Sequence, residues 1–299
     1  MRLVTRADMD GLTCAVIVTT CEQVDDTVLI HPQDITDKRF SVTANDILAN
    51  LPYASGCGKW FDHHLLTASN ELPPEHFEGR YGLAASAARN AYDYYLPQHP
   101  ELQDYATLVA ETDRLDAAQL TREDVLAPRG YILLGLTLDP RTGLGAYRDY
   151  FLLLLRELRA KRAIEAILAR AEVAERVEHM RAQDARFRDA TLAHSRLDGN
   201  VVVTDFRGLE PAPVGNRFLI YTLFPSANVS LRVHAGPRPD TVAVAIGHAI
   251  FNRTSRTNVG LLVSRYGGGG HRGAGTCLVP TARADELVAE MISTMKKEG

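Results

Sequence analysis

Over its first 120 residues the chain alternates short apolar runs with helix-like segments, and this alternation restricts the fold more than any other feature. "RLVT" (2–5), "TVLIH" (27–31), "DILAN" (46–50) and "KWF" (59–61) read as strands. Leu12 to Cys21 is an apolar, mostly helical run, and "AASAARNAYDYYL" (84–96) reads as a helix. Strands that alternate with helices build a parallel sheet, and ligands of such sheets gather beyond the carboxyl ends of the strands. The stretches that carry acids and histidines fall at such ends.

From Ala146 to about His194 the pattern changes to long, heavily charged helix, which reads as a solvated amphipathic connector. Strands return at "VVVTDF", "NVSLRVH" and "TVAVAIG", followed by a glycine loop and a final helix from about Ala282. The expected organisation is α/β with two domains, 1–195 and 196–299. A length of 299 residues with 45% apolar composition can furnish both cores. The apolar run Tyr150 to Leu155 stops at Arg156, far short of the roughly 20 residues a membrane span needs. The start, "MRLVTRADMDG", has acids where a signal peptide has an apolar stretch, so a cytoplasmic protein with no membrane partner is expected. Cys14, Cys21, Cys57 and Cys277 lack CxxC spacing, which indicates neither a disulfide framework nor a thiolate zinc site. The formal charge of −4 argues against a duplex-binding surface.

Three stretches carry chemistry. "TRADMDG" places Asp8 and Asp10 two apart after a strand, where a period of two would point both carboxylates to one side. Two anions held together are costly unless a cation sits between them, though solvated turn aspartates are the plain alternative. "WFDHHLL" sets Asp62, His63 and His64 in a row, which alone is equally a polar turn; "AETDRLDAA" offers Asp113 and Asp116, either of which could be an ordinary cap. Together they form a set of oxygen and imidazole ligands suited to manganese or a similar divalent ion such as magnesium. "YGGGGHRGAG" (266–275) combines four glycines, which let backbone N–H groups approach a phosphate, with His271 and Arg272. A flexible loop is the alternative there.

The order "RADMDG", "FDHH", "ETDRLD" and "GGGGHRGAG" resembles the DHH phosphoesterase superfamily with a C-terminal DHHA1 domain, including exopolyphosphatase-related and oligonucleotide phosphodiesterase-like proteins. The resemblance spans nearly the whole chain. It implies an N-terminal parallel-sheet DHH domain, a smaller α/β DHHA1 domain, and metal-assisted hydrolysis of phosphodiesters or phosphoanhydrides in a cleft between them. Carried over by position, Asp8, Asp10, Asn50, His63 and Asp113 are the expected metal residues, with Asp116 close behind Asp113. Asp62 would orient the cluster, His64 would face the substrate or leaving group, and Arg6 would offset phosphoryl charge. Gly268, Gly269, Gly270 and His271 match the phosphate-holding loop, with Arg272 adding charge beside it and Arg232 as a further phosphate or base partner.

This chain departs from the family pattern at Arg6 and Asn50, where a cation and a neutral amide replace potential ligands, so one or two ions are expected with the first weakened. The expected function is a metal-dependent phosphodiesterase acting on short oligonucleotides or linear dinucleotides. An exopolyphosphatase and a nucleotide-binding regulatory protein with a degraded metal site are the alternatives, and a homodimer is left open. Tyr266 and Phe251 are the local aromatic candidates for stacking a base, or core residues.

Overall fold

The computed structural model describes residues 1–66, 70–139, 144 and 148–299. Ala146, the expected start of the long helical stretch, lies outside them. The chain forms two compact units, Met1–Gln119 with Pro128–His179, and Leu120–Ala127 with Met180–Gly299. The change of unit falls inside a helix, and the expected boundary near 195 follows that helix's end.

The chain begins with β1 (Arg2–Thr5), α1 (Met9–Cys21), β2 (Asp26–Leu29), α2 (Pro32–Thr36), β3 (Asp46–Ala49), β4 (Lys59–Asp62), β5 (Gly79–Tyr81) and α3 (Ala87–Tyr95). A 3-10 turn over Pro100–Tyr105 leads into α4 (Ala106–Asp116). Next come α5 (Arg122–Leu126), which belongs to the second unit, α6 (Gly130–Leu136), α7 (Arg148–Arg159), α8 (Ile164–Leu168) and α9 (Ala171–Ala193). The first five strands make sheet A, ordered β2-β1-β3-β4-β5 and parallel throughout. Because β1 sits between β2 and β3, successive connections run to opposite sides of it, and the crevice beyond its carboxyl end is where such a sheet receives ligands.

A parallel sheet covered on both faces needs strands that are apolar throughout. Leu3, Val4, Ile47, Leu48, Trp60 and Phe61 meet that need and are fully buried. Helix α1 is buried from Met9 to Val18, so "MDGLTCAVIV" is mostly apolar around its whole circumference instead of on one stripe, with Asp10 and Thr13 as its buried polar residues. Its entry requires Gly11: a Cβ there would sit 1.9 Å from the Arg6 carbonyl oxygen. The expected connector is three helices, α7 to α9, and α7 buries Tyr150, Phe151, Leu154 and Leu155. Its apolar stripe makes it core, not a solvated link.

The second unit adds β6 (Ser195–Asp198), β7 (Val201–Asp205), α10 (Leu219–Leu223), β8 (Val229–Ala235), β9 (Thr241–His248), α11 (Val259–Ser264), β10 (Gly269–His271), β11 (Ala274–Pro280) and α12 (Ala284–Glu298). Sheet B is ordered β10-β11-β9-β8-β7-β6, with only β7 and β8 parallel. One face carries alternate residues Val229, Leu231 and Val233 of β8 with Val242, Val244 and Ile246 of β9, which pack with Val259 and Val263 of α11 and Met291 and Met295 of α12. The glycine stretch that reads as a loop is partly a strand: β10 and β11 form a tight hairpin turning at Arg272 and Gly273.

Candidate active site

Asp10, His63 and Asp116 converge beyond the carboxyl end of sheet A. His63 Nε2 lies 3.2 Å from Asp116 Oδ2 and 3.7 Å from Asp10 Oδ2. Its Nδ1 is 3.1 Å from the Ala84 carbonyl oxygen. A carbonyl only accepts, so Nδ1 carries a proton, and in the neutral ring the Nε2 lone pair faces the two carboxylates. Nε2 is buried without a hydrogen-bond partner, and with the ring neutral this arrangement repels unless a cation sits among the three atoms. Asp10 is held from the opposite side, where its two oxygens accept from the backbone N–H groups of Ala87 and Ala88 at 2.9 and 2.8 Å, at the start of α3. Burial, then the charges of Asp116 and Asp8, push the Asp10 carboxyl well up, and those two N–H groups offset only part of this.

The period-two argument for Asp8 and Asp10 does not describe the structure. Strand β1 stops at Thr5; Asp8 is the N-cap of α1 and Asp10 lies in its first turn, so the two side chains diverge. Asp8 Oδ1 accepts from Gly11 N–H and from Asn50 Nδ2, both at 2.9 Å, and Oδ2 is 3.1 Å from Arg6 Nε. Asn50 follows β3 with φ +56°, a left-handed conformation that asparagine tolerates better than most residues, and it is buried. Arg6 and Asn50 therefore close around Asp8, while Asp10 faces the histidine.

Asp62 ends β4 and is buried. Its Oδ1 accepts from His63 N–H at 2.9 Å and lies 2.8 Å from His64 Nδ1. Burial opposes charge on His64, yet the Asp62 carboxylate in contact with it, with Asp116 and Asp10 beyond, raises its pKa to about 9. Asp62, His63 and His64 also bring one ligand atom each close enough together to share an ion.

The order of preference between the two later aspartates is reversed. Asp113 is bound by Arg89, with Nε at 2.9 Å and Nη2 at 2.7 Å from Oδ2, and its Oδ1 accepts from Ser86 Oγ at 2.6 Å. A carboxylate so engaged points away from His63, whereas Asp116, three residues on, reaches it. One helical turn separates them, and nothing in "ETDRLD" says which would face the strand ends. The sequence reading also missed Ser86, whose side chain caps α3, and Arg89, whose partner lies 24 residues away. The small-residue run "AASAARN" carries a cap signal that would have found the first.

In the second unit, strand register divides the glycine motif between two faces. Gly270 pairs with Gly275, itself opposite Ile246 and then Leu231, on the core face. A Cβ on Gly268 would lie 2.2 Å from the Thr276 carbonyl oxygen, and one on Gly270 2.2 Å from that of Ala274, so packing alone demands these two glycines. Gly269 has open space where a Cβ would be, and its row runs through Thr276 and Ala245 to Arg232. The next row joins His271, Ala274, Gly247 and Ser230. Gly269, His271 and Arg232 thus share the face opposite the core, across a floor of small residues. Arg272 is exposed in the turn, and the His271 Nδ1 accepts from Gly273 N–H at 3.1 Å. Tyr266 packs against the core and donates to Glu290 Oε2 at 3.2 Å, while Phe251 lies 5.7 Å below the Arg122 guanidinium.

A solved pGpG-specific phosphodiesterase, PggH from Vibrio cholerae, is 35% identical to this chain, covering 100% of it and 99% of PggH, with a TM-score of 0.78. The chain belongs to the DHH phosphoesterase superfamily. It is a phosphoesterase of the α/β architecture expected from its motifs. RecJ in complex with Mn2+ from Thermus thermophilus is 14% identical over 99% of this chain and 52% of RecJ, with a TM-score of 0.59. An exopolyphosphatase-related protein from Bacteroides fragilis is 13% identical over 99% and 92%, with a TM-score of 0.55. These two share the fold. No family model and no curated protein matches the sequence. Among the described residues no helix is long and apolar enough to cross a membrane.

Proposed function

We propose that the chain is a metal-dependent phosphodiesterase that hydrolyses short linear dinucleotides of the pGpG type. The observation that carries the chemistry is the buried, partnerless His63 Nε2 aimed between Asp10 and Asp116. Two carboxylate oxygens and an imidazole nitrogen fit Mn2+, with Mg2+ as the alternative ion. When bound there, such an ion supplies Lewis acidity for the attacking water and the phosphoryl oxygens. The protein's part is orientation. Ala84 fixes the His63 tautomer, the start of α3 holds Asp10, and Asp62 holds His64, whose charged form would donate a proton to the departing oxygen.

The dinucleotide substrate is supported by the 35% identity, over the full chain, to a phosphodiesterase described as pGpG-specific. Gly269, His271, Arg272 and Arg232 supply backbone and cationic groups for phosphate or base in the second unit, in the role the DHHA1 resemblance implies for it. The four cysteines are free thiols, which supports a reducing cytoplasmic setting. The test is turnover of pGpG, pApA, short RNA and DNA oligomers and polyphosphate with Mn2+, with Mg2+ and with chelator. Hydrolysis of the dinucleotides alone, lost on chelation, is expected. Preference for polyphosphate, or turnover that survives chelation, rejects the assignment.

A further inference from the structure

The two carboxylates of "RADMDG" differ in what they can still bind. Asp10 faces His63 and Asp116, while both oxygens of Asp8 are covered by Gly11 N–H, Asn50 Nδ2 and Arg6 Nε. A guanidinium stays protonated and has no lone pair to offer a metal, and the Asn50 amide presents hydrogens to Asp8. Charge counting leads to the same division. One divalent ion balances Asp10 and Asp116, and Arg6 already balances Asp8. Arg6 is 35% exposed, and its two terminal nitrogens make no hydrogen bond among the described residues.

We propose that this chain holds one divalent ion, and that Arg6 stands in for a second by binding a non-bridging phosphate oxygen of the substrate through its terminal nitrogens. Asn50 and Asp8 position it: Asn50 fixes the Asp8 carboxylate, whose Oδ2 lies 3.1 Å from Arg6 Nε, and the terminal nitrogens make no hydrogen bond among the described residues, which leaves them able to meet a phosphate. The proposal rests on the phosphodiesterase assignment for its substrate, but its metal count does not.

Two measurements on the full chain test it. Titration of chelated protein with Mn2+ alone, checked by elemental analysis, should give one tight ion per wild-type chain, rising towards two in Arg6→His/Asn50→Asp. Two tight ions in the wild type overturn the proposal, as does a double variant with native circular dichroism that still holds one. No tight ion at all overturns the metal-dependent assignment as well. In the second measurement, Arg6→Gln should raise the dinucleotide KM about 10- to 100-fold with Mn2+ stoichiometry unchanged, and Arg6→Lys should recover part of it. A KM in Arg6→Gln equal to that of the wild type leaves Arg6 as a plain ion-pair partner of Asp8 and overturns its substrate role.

Discussion

Asp46 and Asp10 are both buried aspartates of the first unit, one at the start of β3 and the other beyond the end of β1, and their surroundings push them in opposite directions. Asp46 accepts from Arg2 Nε and Nη2 at 2.6 and 2.8 Å and from Thr43 N–H and Oγ1 at 2.8 and 3.1 Å. Burial alone would raise its carboxyl, but these donors outweigh it and hold the group below the usual range. Asp10 has two backbone donors and no cation, and faces the charges of Asp116 and Asp8, so burial raises it. One end of the sheet satisfies its acid; the other keeps an acid poised for something the protein alone does not supply.

The sharpest way to break this comparison is to remove the imidazole on which the poised end depends. His63→Ala should lower turnover on the order of 10³-fold, since metal-ion catalysis is worth several kcal/mol, and should reduce bound Mn2+ while circular dichroism stays native. Unchanged turnover at saturating Mn2+ would show that the carboxylates work without it.

A smaller effect extends the contrast to sheet B, where Gly269, His271 and Arg232 bring donors and no carboxylate to one face. His271→Ala should raise KM about tenfold while Mn2+ content stays at the wild-type level. Loss of metal with unaltered substrate binding would mean that the two units have been given each other's roles.

Smaller again in its effect on catalysis is Asp113→Asn. With Arg89 and Ser86 on its oxygens, Asp113 ties α4 to α3, so the variant should keep its Mn2+ and lose about 1–3 kcal/mol of stability in denaturant unfolding. If Mn2+ is lost without a change in stability, Asp113 is a ligand after all.

What was legible in the sequence follows a physical division. The apolar runs at 2–5, 46–49 and 59–61 became strands because strands covered on both faces need continuous apolar stretches, and the sequence shows these directly. The three-residue strand β5 has no such run, and Arg80 in its middle is exposed, so no periodicity announces it. At the site, the residue types of "DHH" and "RADMDG" stand out in the sequence, but which later aspartate lies beside His63, Asp116 or Asp113, depends on which side of α4 meets β4. The packing need within the glycine run was hidden for a related reason. Gly268 and Gly270 answer to backbone contacts with β11, a strand that only the fold brings alongside.

The comparison of the two ends predicts opposite stability changes with pH, measured on metal-free protein. A depressed carboxyl contributes stability at pH values above its unfolded pKa, near 3.9, and loses it as pH falls through the folded value. Asp46→Asn should therefore melt lower than wild type at pH 7, with the deficit shrinking as the pH is taken below about 4, and with kcat unaltered. A raised carboxyl behaves in reverse: its ionisation costs stability as pH climbs from the unfolded value to the folded one. Asp116 is the largest charge acting on Asp10, so Asp116→Asn should relieve that cost and raise the midpoint at pH 7 by about 2–4 °C, a gain that disappears in acid. Saturating Mn2+ should reverse the ranking, stabilising wild type by mass action and leaving the variant where it was. A variant that melts below wild type in chelator at pH 7 would mean that Asp116 is a satisfied structural acid like Asp46, and the contrast between the two ends would fail.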